Sequence, residues 1–158
     1  MLKHMLKHSV LTELNKRHSP VFFDTSLFIY LFEDHLRYAP YLENLFDRVT
    51  KGNILAMTSV ISLSEVLTKP FEVKNVILIK KYREIFLHLP HLSLIHIDDE
   101  IAVEAARIRG EYGFHLTDCL QLAAARERGA KSFFTNDKQL THFKELYVLY
   151  LDQFVSEH

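Results

Sequence analysis

The chain is poor in several residue types that mark particular classes of protein. Its 158 residues include one Cys, no Trp, four Gly and four Pro. A single Cys excludes a disulfide framework and favours a reducing compartment. So few Gly and Pro residues exclude collagen-like and linker sequences. The formal net charge is −1, so neither a strongly basic surface nor an acidic tail identifies a partner.

Long apolar runs are also missing. The longest uninterrupted run, residues 27–32, has 6 residues, whereas a transmembrane helix needs about 20. The first eight residues contain Lys and His but no apolar core or small-residue cleavage site, so they do not resemble a secretory signal. We therefore predict a cytoplasmic protein that does not span a bilayer.

Apolar residues make up 48% of the chain and charged residues 25%, which is typical of a globular domain. Short apolar runs alternate with segments of helical periodicity. The predicted strands are residues 21–23, 54–57, 92–97, 132–135 and 147–151. The predicted helices are residues 27–32, 41–49, 62–68, 74–89, 99–113 and 117–128, with a short helix before residue 143. Pro70 is expected to end the third helix, and Gly110 and Gly113 the fifth.

This order of elements predicts an α/β/α sandwich around a short, mostly parallel sheet. We expect one domain over residues 20–158. Residues 1–19 form an N-terminal extension in this interpretation, with Leu2, Leu6, Val10 and Leu14 at helical spacing. Such a helix would suit packing on a partner or on a second copy of the chain, and Met5 is an alternative start.

Four acidic residues follow predicted strands or begin predicted helices. Asp24 and Asp137 come just after aromatic strands, and Glu65 and Asp118 are expected in the first turns of their helices. Parallel sheets bind ligands outside the carboxyl ends of their strands. These side chains are therefore candidates for one site at that edge of the sheet.

Each acid also has a purely structural interpretation. Asp24 and Asp137 suit turns or helix caps, Glu65 follows Ser62 at capping-box spacing, and Asp118 suits the helix dipole. Taken together, carboxylates at one edge repel one another unless a cation neutralises them. Oxygen ligands without convergent His or Cys favour Mg²⁺ or Mn²⁺.

Four segments in this order resemble the PIN domain, and more closely the compact VapC-type ribonuclease toxins. They are residues 21–26 (VFFDTS), 64–66 (SEV), 116–125 (LTDCLQLAAA) and 134–137 (FTND). The similarity covers about residues 20–151. It implies a three-layer α/β/α PIN-like fold in which Asp24, Glu65, Asp118 and Asp137 form a metal-binding acidic site. It also implies that Ser26 and Thr135 are polar helpers that orient a carboxylate or a water.

The activity implied by this resemblance is Mg²⁺- or Mn²⁺-dependent endonucleolytic hydrolysis of RNA, leaving a 5′-phosphate and a 3′-hydroxyl. Asp24 and Asp118 are the expected direct ligands. Glu65 is a ligand or a base for the attacking water, and Asp137 acts directly or through water. The resemblance further implies the toxin of a type II toxin–antitoxin pair, a homodimer inhibited by a small antitoxin.

Basic side chains on two stretches are candidates for an RNA-binding rim. Lys69 and Lys74 represent the first stretch, and Arg126 and Lys138 the second. A solvated helix face is the alternative for each of them. Phosphate contacts of this kind would add affinity without selecting an RNA sequence.

Two other groupings suggest different chemistry. Cys119 lies four residues after His115, which is compatible with a Cys–His nucleophile, but its apolar neighbours favour burial of the Cys. His88, His91 and His96 suggest zinc, although their spacing matches no tetrahedral motif.

Two further functions stay open from the sequence. A phosphatase could use Asp24 as nucleophile, but the haloacid dehalogenase family needs a second Asp where this chain has Ser26. The other alternative is a catalytically silent PIN-like module that binds RNA or protein. Loss of one acid would favour that module, whereas all four are present.

Overall fold

The computed structural model describes residues 19–155, which contain a five-stranded sheet in the order β3-β2-β1-β4-β5. All neighbouring strands run parallel. The strands are β1 (Val21–Phe23), β2 (Ala56–Ser59), β3 (Leu92–Ile95), β4 (Ser132–Thr135) and β5 (Tyr147–Tyr150). The predicted sheet is confirmed, and in the described residues it is entirely rather than mostly parallel.

Helices connect the strands. They are α1 (Thr25–Phe32), α2 (Ala39–Thr50), α3 (Val60–Glu72), α4 (Val76–His88), α5 (Asp99–Tyr112) and α6 (Leu116–Glu127). Short 3₁₀ helices cover Lys138–His142 and Leu151–Gln153. Within residues 19–155, no helix combines the length and apolar character needed to cross a membrane. The predicted extension lies outside the described residues except for Ser19.

Alternating aromatic side chains divide the core into two layers on opposite faces of the sheet. Phe22 and Phe133 face α5 and α6, where their rings stack with centroids 5.2 Å apart. Phe23 and Phe134 face the other way and pack with α1–α4. This alternation is the period of two that a strand imposes on its side chains. The predicted α/β/α architecture is therefore confirmed.

The order of the strands creates one special position at the sheet edge. From β1 the chain moves outward through β2 to β3, and it then returns to the other side of β1 for β4 and β5. Crevices at such a topological switch point, outside the carboxyl ends of the strands, are where open α/β sheets bind ligands. Here the switch point lies between the ends of β1 and β4.

One predicted helix end is wrong, and another is right only in part. The helix expected to stop at Pro70 continues to Glu72, so Pro70 lies inside its last turn and costs the helix one backbone hydrogen bond there. The helix expected to end at Gly110 and Gly113 passes through Gly110. It ends at Tyr112, with Gly113 in the left-handed conformation after it.

Strand β2 is displaced from its prediction by two residues. Residues 54–57 were expected from their apolar character, whereas pairing begins at Ala56 and extends to Ser59. Thr58 and Ser59 are buried polar residues in the strand. The Thr58 hydroxyl donates to the carbonyl of Phe23 at 2.9 Å, which satisfies it within the sheet. Strand β3 likewise ends at Ile95, two residues early.

We expect Phe28→Ala to reduce the free energy of unfolding by about 3–5 kcal/mol, because it removes a large side chain from a packed site. Phe28 is fully buried, with its ring centroid 4.4 Å from that of Phe86. Phe71→Ala is the matched control, since Phe71 is 60% exposed. Urea denaturation measures both, and equal losses would contradict this description of the core.

Candidate active site

Asp24 occupies the carboxyl end of β1 at the switch point. It is the N-cap of α1, and its Oδ1 accepts the backbone N–H of Thr25 at 2.9 Å. Its Oδ2 accepts the hydroxyl of Thr135, at the end of β4, at 2.7 Å. The side chain therefore caps a helix, as its structural interpretation proposed, and also joins the two strands at the switch point.

Burial raises the pKa of Asp24 from 3.8 to about 6. The hydrogen bonds from Thr135 and from the Thr25 backbone lower it in part, whereas the charges of Asp118 and Glu65 raise it further. The residue is only 8% exposed. An ionised Asp24 is thus costly in the absence of a cation.

Glu65 lies in the second turn of α3, not in the first turn as expected. The helix begins at Val60, and its N-cap is Ser59, whose Oγ accepts the N–H of Ile61 at 3.1 Å. The capping-box interpretation of Ser62 and Glu65 is therefore wrong. The Glu65 carboxylate accepts the hydroxyl of Thr25 at 3.1 Å.

Asp118 lies in the first turn of α6, as predicted. Burial raises its pKa, and the charges of Asp137 and Glu65 raise it further, whereas His115 lowers it. Asp137 caps the 3₁₀ helix after β4 by accepting the N–H of Gln139 at 3.0 Å. The structural interpretation of Asp137 as a helix cap therefore accounts for one of the contacts of this side chain.

These mutual effects show that the four predicted acids form one electrostatic group. The charge of Asp118 acts on Asp24, and the charges of Glu65 and Asp137 act on Asp118. Across residues 19–155, no Lys or Arg forms an ion pair with any of the four. The group is therefore an uncompensated concentration of negative charge.

The donor set fits a hard divalent cation. As placed in residues 19–155, no three Asp, Glu, His or Cys side chains form a group that could hold a metal ion directly. Mg²⁺ usually keeps several waters and is bound through one or two carboxylates plus substrate phosphates. Carboxylates that repel one another around a switch point suit that kind of binding better than a closed cage.

The two predicted helper residues have different surroundings. Thr135 contacts the acids directly, because its hydroxyl donates to Asp24 and accepts the N–H of Asp137 at 3.0 Å. Ser26 instead accepts the backbone N–H of Asn136 at 3.4 Å. The hydroxyl that reaches a second carboxylate belongs to the neighbouring Thr25.

The sequence analysis missed three polar residues behind the acids. Thr25, Ser62 and Gln121 are buried and hydrogen-bonded to one another. Gln121 carried a usable signal, because it lies three residues after Asp118 and shares its helix face within an alanine-rich stretch.

Asn136 connects the site to the C-terminal part of the described chain. Its Nδ2 donates to the hydroxyl of Tyr30 at 3.3 Å, and its Oδ1 accepts the N–H of Asp152 at 3.1 Å. Asp152 in turn accepts the Tyr38 hydroxyl at 2.6 Å. This chain of contacts fixes the loop between Thr135 and Asp137.

Two of the four predicted RNA-contacting residues form ion pairs with acidic side chains. Lys69 pairs with Glu33 at 3.2 Å, and Arg126 pairs with Glu104. Lys74 and Lys138 are exposed and make no ion pair within the described residues. Lys138 directly follows Asp137, so of the four it is the one adjacent to an acid of the site.

The alternative nucleophile is unsuitable. Cys119 is fully buried, its thiol donates to the carbonyl of Phe114 at 3.6 Å, and burial raises its pKa. A reactive Cys needs access and a lowered pKa. Of the three His residues considered for zinc, His88 lies 3.5 Å from Glu84 on α4, whereas His91 and His96 flank β3.

Comparison with known proteins identifies the family. The PIN domain model matches residues 21–146, which include all four acids. The chain belongs to the PIN domain family. None of the curated proteins compared with it matches.

Solved structures similar to this PIN domain include toxin–antitoxin complexes. VapBC2 from Rickettsia felis, bound to a promoter DNA fragment, has a TM-score of 0.67 at 18% identity, covering 82% of this chain and 97% of that chain. A toxin–antitoxin complex from Klebsiella pneumoniae has a TM-score of 0.63 at 22% identity, covering 83% and 97%. VapC20 from Mycobacterium tuberculosis, a sarcin–ricin-loop-cleaving toxin, has a TM-score of 0.61 at 18% identity, covering 80% and 98%. The predicted VapC-like fold is confirmed.

The raised pKa of Asp24 gives the metal-free protein a defined pH dependence. The folded state holds the proton of the Asp24 carboxyl more tightly than the unfolded chain does, since the pKa of this carboxyl is near 3.8 when the chain is unfolded. Stability is therefore lost as the pH rises from about 4 to about 7. The difference in the pKa of Asp24 between the folded and unfolded states corresponds to about 3 kcal/mol of stability. Replacing Asp24 by Asn also loses the hydrogen bond from Thr135, which offsets about 1 kcal/mol of the expected gain.

We expect Asp24→Asn to raise the melting temperature of metal-free protein at pH 7.5 by about 4–8 °C. The gain should largely disappear at pH 4, where the wild-type carboxyl is protonated when folded. Thermal unfolding in EDTA across this pH range measures it. Glu43→Gln is the control, because Glu43 is an exposed acid on α2. A gain from Asp24→Asn that does not change with pH would contradict the raised pKa.

Proposed function

We propose that this PIN domain is a Mg²⁺- or Mn²⁺-dependent endoribonuclease, the toxin of a type II toxin–antitoxin pair. One observation carries the proposal: Asp24, Glu65, Asp118 and Asp137 form an uncompensated acidic group at the topological switch point. Such a group is destabilising unless a cation binds it. Its position is where α/β sheets bind their ligands.

Each acid has a distinct place in this mechanism. Asp24 and Asp118 would hold the ion, because they are the two carboxyls whose pKa values burial raises. Glu65 is exposed, so its carboxylate can reach solvent as a further ligand or as a base for the attacking water. A divalent ion held by these residues would make a water more acidic and would stabilise the charge that develops on the phosphate.

Thr135 lies at the end of β4, and Asp137 lies in the loop that follows it. Thr135 donates to Asp24 and accepts from the backbone of Asp137, so it joins the residue after β1 to the loop after β4. Asp137 already accepts one N–H from the 3₁₀ helix. We therefore assign it the outer position, acting directly or through water. The proposed products carry a 5′-phosphate and a 3′-hydroxyl.

The similar structures and the surface of the chain both support a protein partner. VapBC2 and the Klebsiella pneumoniae complex are toxin–antitoxin assemblies, which supports a small antitoxin as a partner of this chain. Large apolar side chains are exposed around the α3–α4 connection, which supports association with another protein chain. They are Phe71, Val73, Val76 and Ile77, at 60–80% exposure. We also propose that the protein forms a homodimer and acts on RNA in the cytoplasm.

RNA binding is assigned to a small local rim. Lys138, beside Asp137, is the first candidate, and Lys74 the second, since both are exposed. Lys69 and Arg126 would have to leave their acidic partners to contact phosphate.

One observation favours a second candidate, a catalytically silent PIN-like module that binds RNA or protein. No three ligand-type side chains in residues 19–155 are placed to hold a metal directly. A phosphatase that uses Asp24 as nucleophile is less suitable, because both carboxylate oxygens accept hydrogen bonds and the residue is buried. Metal binding discriminates between the nuclease and the silent module.

We expect Mn²⁺ at 100 times its dissociation constant to add about 2.7 kcal/mol to the stability of the wild-type protein. That corresponds to a rise in melting temperature of roughly 5–10 °C. Asp24→Asn and Asp118→Asn should each lose the rise, whereas Glu43→Gln on α2 should keep it. The quantity compared is the rise in melting temperature that Mn²⁺ causes in each protein, because Asp24→Asn and Asp118→Asn also change the stability of the metal-free protein. No rise in the wild type would favour the silent module.

We expect the wild-type protein with Mn²⁺ to cut a randomised single-stranded RNA library and to leave 5′-phosphate ends that can be ligated directly. Asp118→Asn should reduce the rate at least about 100-fold, since several kcal/mol of charge stabilisation are lost. Glu43→Gln is again the control. Sequencing of the ligated ends measures cutting. Ends that persist in EDTA or in Asp118→Asn would indicate a contaminating nuclease or a different site.

A further inference from the structure

A buried polar network lies directly behind the acidic group. Gln121 on α6 is 1% exposed, and its Nε2 donates to Ser62 Oγ at 2.6 Å and to Thr25 Oγ1 at 3.3 Å. Its Oε1 accepts the hydroxyl of Ser59. Thr25 Oγ1 and Ser62 Oγ are 2.9 Å apart, and Thr25 donates to Glu65 Oε1.

The network connects every element that carries one of the first three acids. Thr25 directly follows Asp24, Ser62 lies one helical turn before Glu65, and Gln121 lies one turn after Asp118. Buried hydrogen bonds among α1, α3 and α6 therefore hold together three elements whose carboxylates repel one another.

Counting hydrogens gives the network a direction. A hydroxyl has one hydrogen and two lone pairs, and an ionised carboxylate only accepts. Thr25 gives its single hydrogen to Glu65, so Ser62 must donate to Thr25 and receive from the amide of Gln121. The amide is oriented with its Oε1 accepting the hydroxyl of Ser59, whose Oγ also accepts the N–H of Ile61.

That orientation supports the hydrogen bond from Thr25 to Glu65. With the amide as it lies, Thr25 Oγ1 accepts from Gln121 Nε2, and its own hydrogen is left for the carboxylate. With the amide reversed, its oxygen would face Ser62 and Thr25 and would compete with Glu65 for the hydrogen of Thr25. Gln121 thus acts on Glu65 through Thr25, although it does not contact this carboxylate.

We propose that Gln121 is a positioning residue, which acts through Ser62 and Thr25 to hold Glu65 in place for the divalent cation. This inference rests on the proposed function, because it concerns how the same acidic group binds its ion. Groups that orient metal ligands in this way typically alter metal affinity 10–100-fold when they are replaced.

The test measures the dissociation constant of Mn²⁺ alone for the full chain, from the electron paramagnetic resonance signal of the free ion. Thr25→Val, which removes the hydroxyl and keeps the shape, should weaken binding roughly 10–100-fold. Thr25→Ser should restore affinity to within about threefold, because it keeps the hydroxyl. Gln121→Met should weaken binding to the same extent as Thr25→Val. Thr68→Val on α3 is the matched control, since the Thr68 hydroxyl donates to the backbone carbonyl of Ser64 instead.

A double-mutant cycle separates positioning from a general loss of structure. If Thr25 and Gln121 act through Glu65, either substitution should change affinity by no more than about twofold when added to Glu65→Gln. Full additivity in that background would overturn the inference. Thermal unfolding of each variant identifies one that fails to fold, in which case Thr25→Val and Thr25→Ser decide the outcome.

The remaining outcomes distinguish the two proposals. Wild-type binding that Asp24→Asn abolishes, but that Thr25→Val and Gln121→Met leave within twofold, would overturn this inference and leave the metal site intact. Thr25→Ser as weak as Thr25→Val would also overturn it, since the hydroxyl is retained. Absence of Mn²⁺ binding by the wild-type protein would overturn both proposals.

Discussion

Mutual repulsion among four carboxylates is the constraint that their surroundings have to meet. Asp24 and Asp137 follow the parallel strands β1 and β4. Glu65 lies on α3, which follows β2, and Asp118 lies on α6, which follows α5. Hydrogen bonds from neighbouring hydroxyl and backbone groups offset part of the cost, most directly the Thr135 hydroxyl on Asp24. These hydrogen bonds do not remove the cost of ionising Asp24, because its pKa stays raised despite them.

The rigid part of the molecule is what makes such an arrangement possible. Aromatic pairs at the ends of β1 and β4 alternate between the two core layers, so a slip of one residue would move every ring to the wrong face. The same register places Asp24 directly after Phe23, and Thr135 directly after Phe134. Apolar packing therefore determines where the polar edge lies. The hydrogen bond between Thr135 and Asp24 joins strands whose relative position the core has already fixed.

Features that depend on local sequence were predictable here, and features that depend on tertiary contacts were not. The ends of β1 at Phe23 and of β4 at Thr135 followed from short aromatic runs, and the end of α5 before Gly113 from the left-handed backbone preference of glycine. The start of α3 was misplaced because Thr58 and Ser59 are polar, and only their partners in the fold show that they belong in a buried strand. That error placed Glu65 in the wrong turn and made Ser62 resemble a cap. The spacing of Gln121 from Asp118 was visible in the sequence, but its contacts were not, because Ser62 and Thr25 lie 59 and 96 residues away in the chain.

The basic side chains within residues 19–155 form their ion pairs away from the acidic edge. Arg107 and Arg126 share Glu104 and Glu145 in a network that joins α5, α6 and the segment before β5, and Arg128 pairs with Asp98. These pairs neutralise some of the acids on the surface of the described residues. At the switch point the chain places hydroxyl and amide groups instead, and within residues 19–155 no Lys or Arg pairs with the four carboxylates. Losing one of these acids would stabilise the metal-free chain, and the retention of all four is what the proposed function, which needs charge to stay available to a ligand, would require.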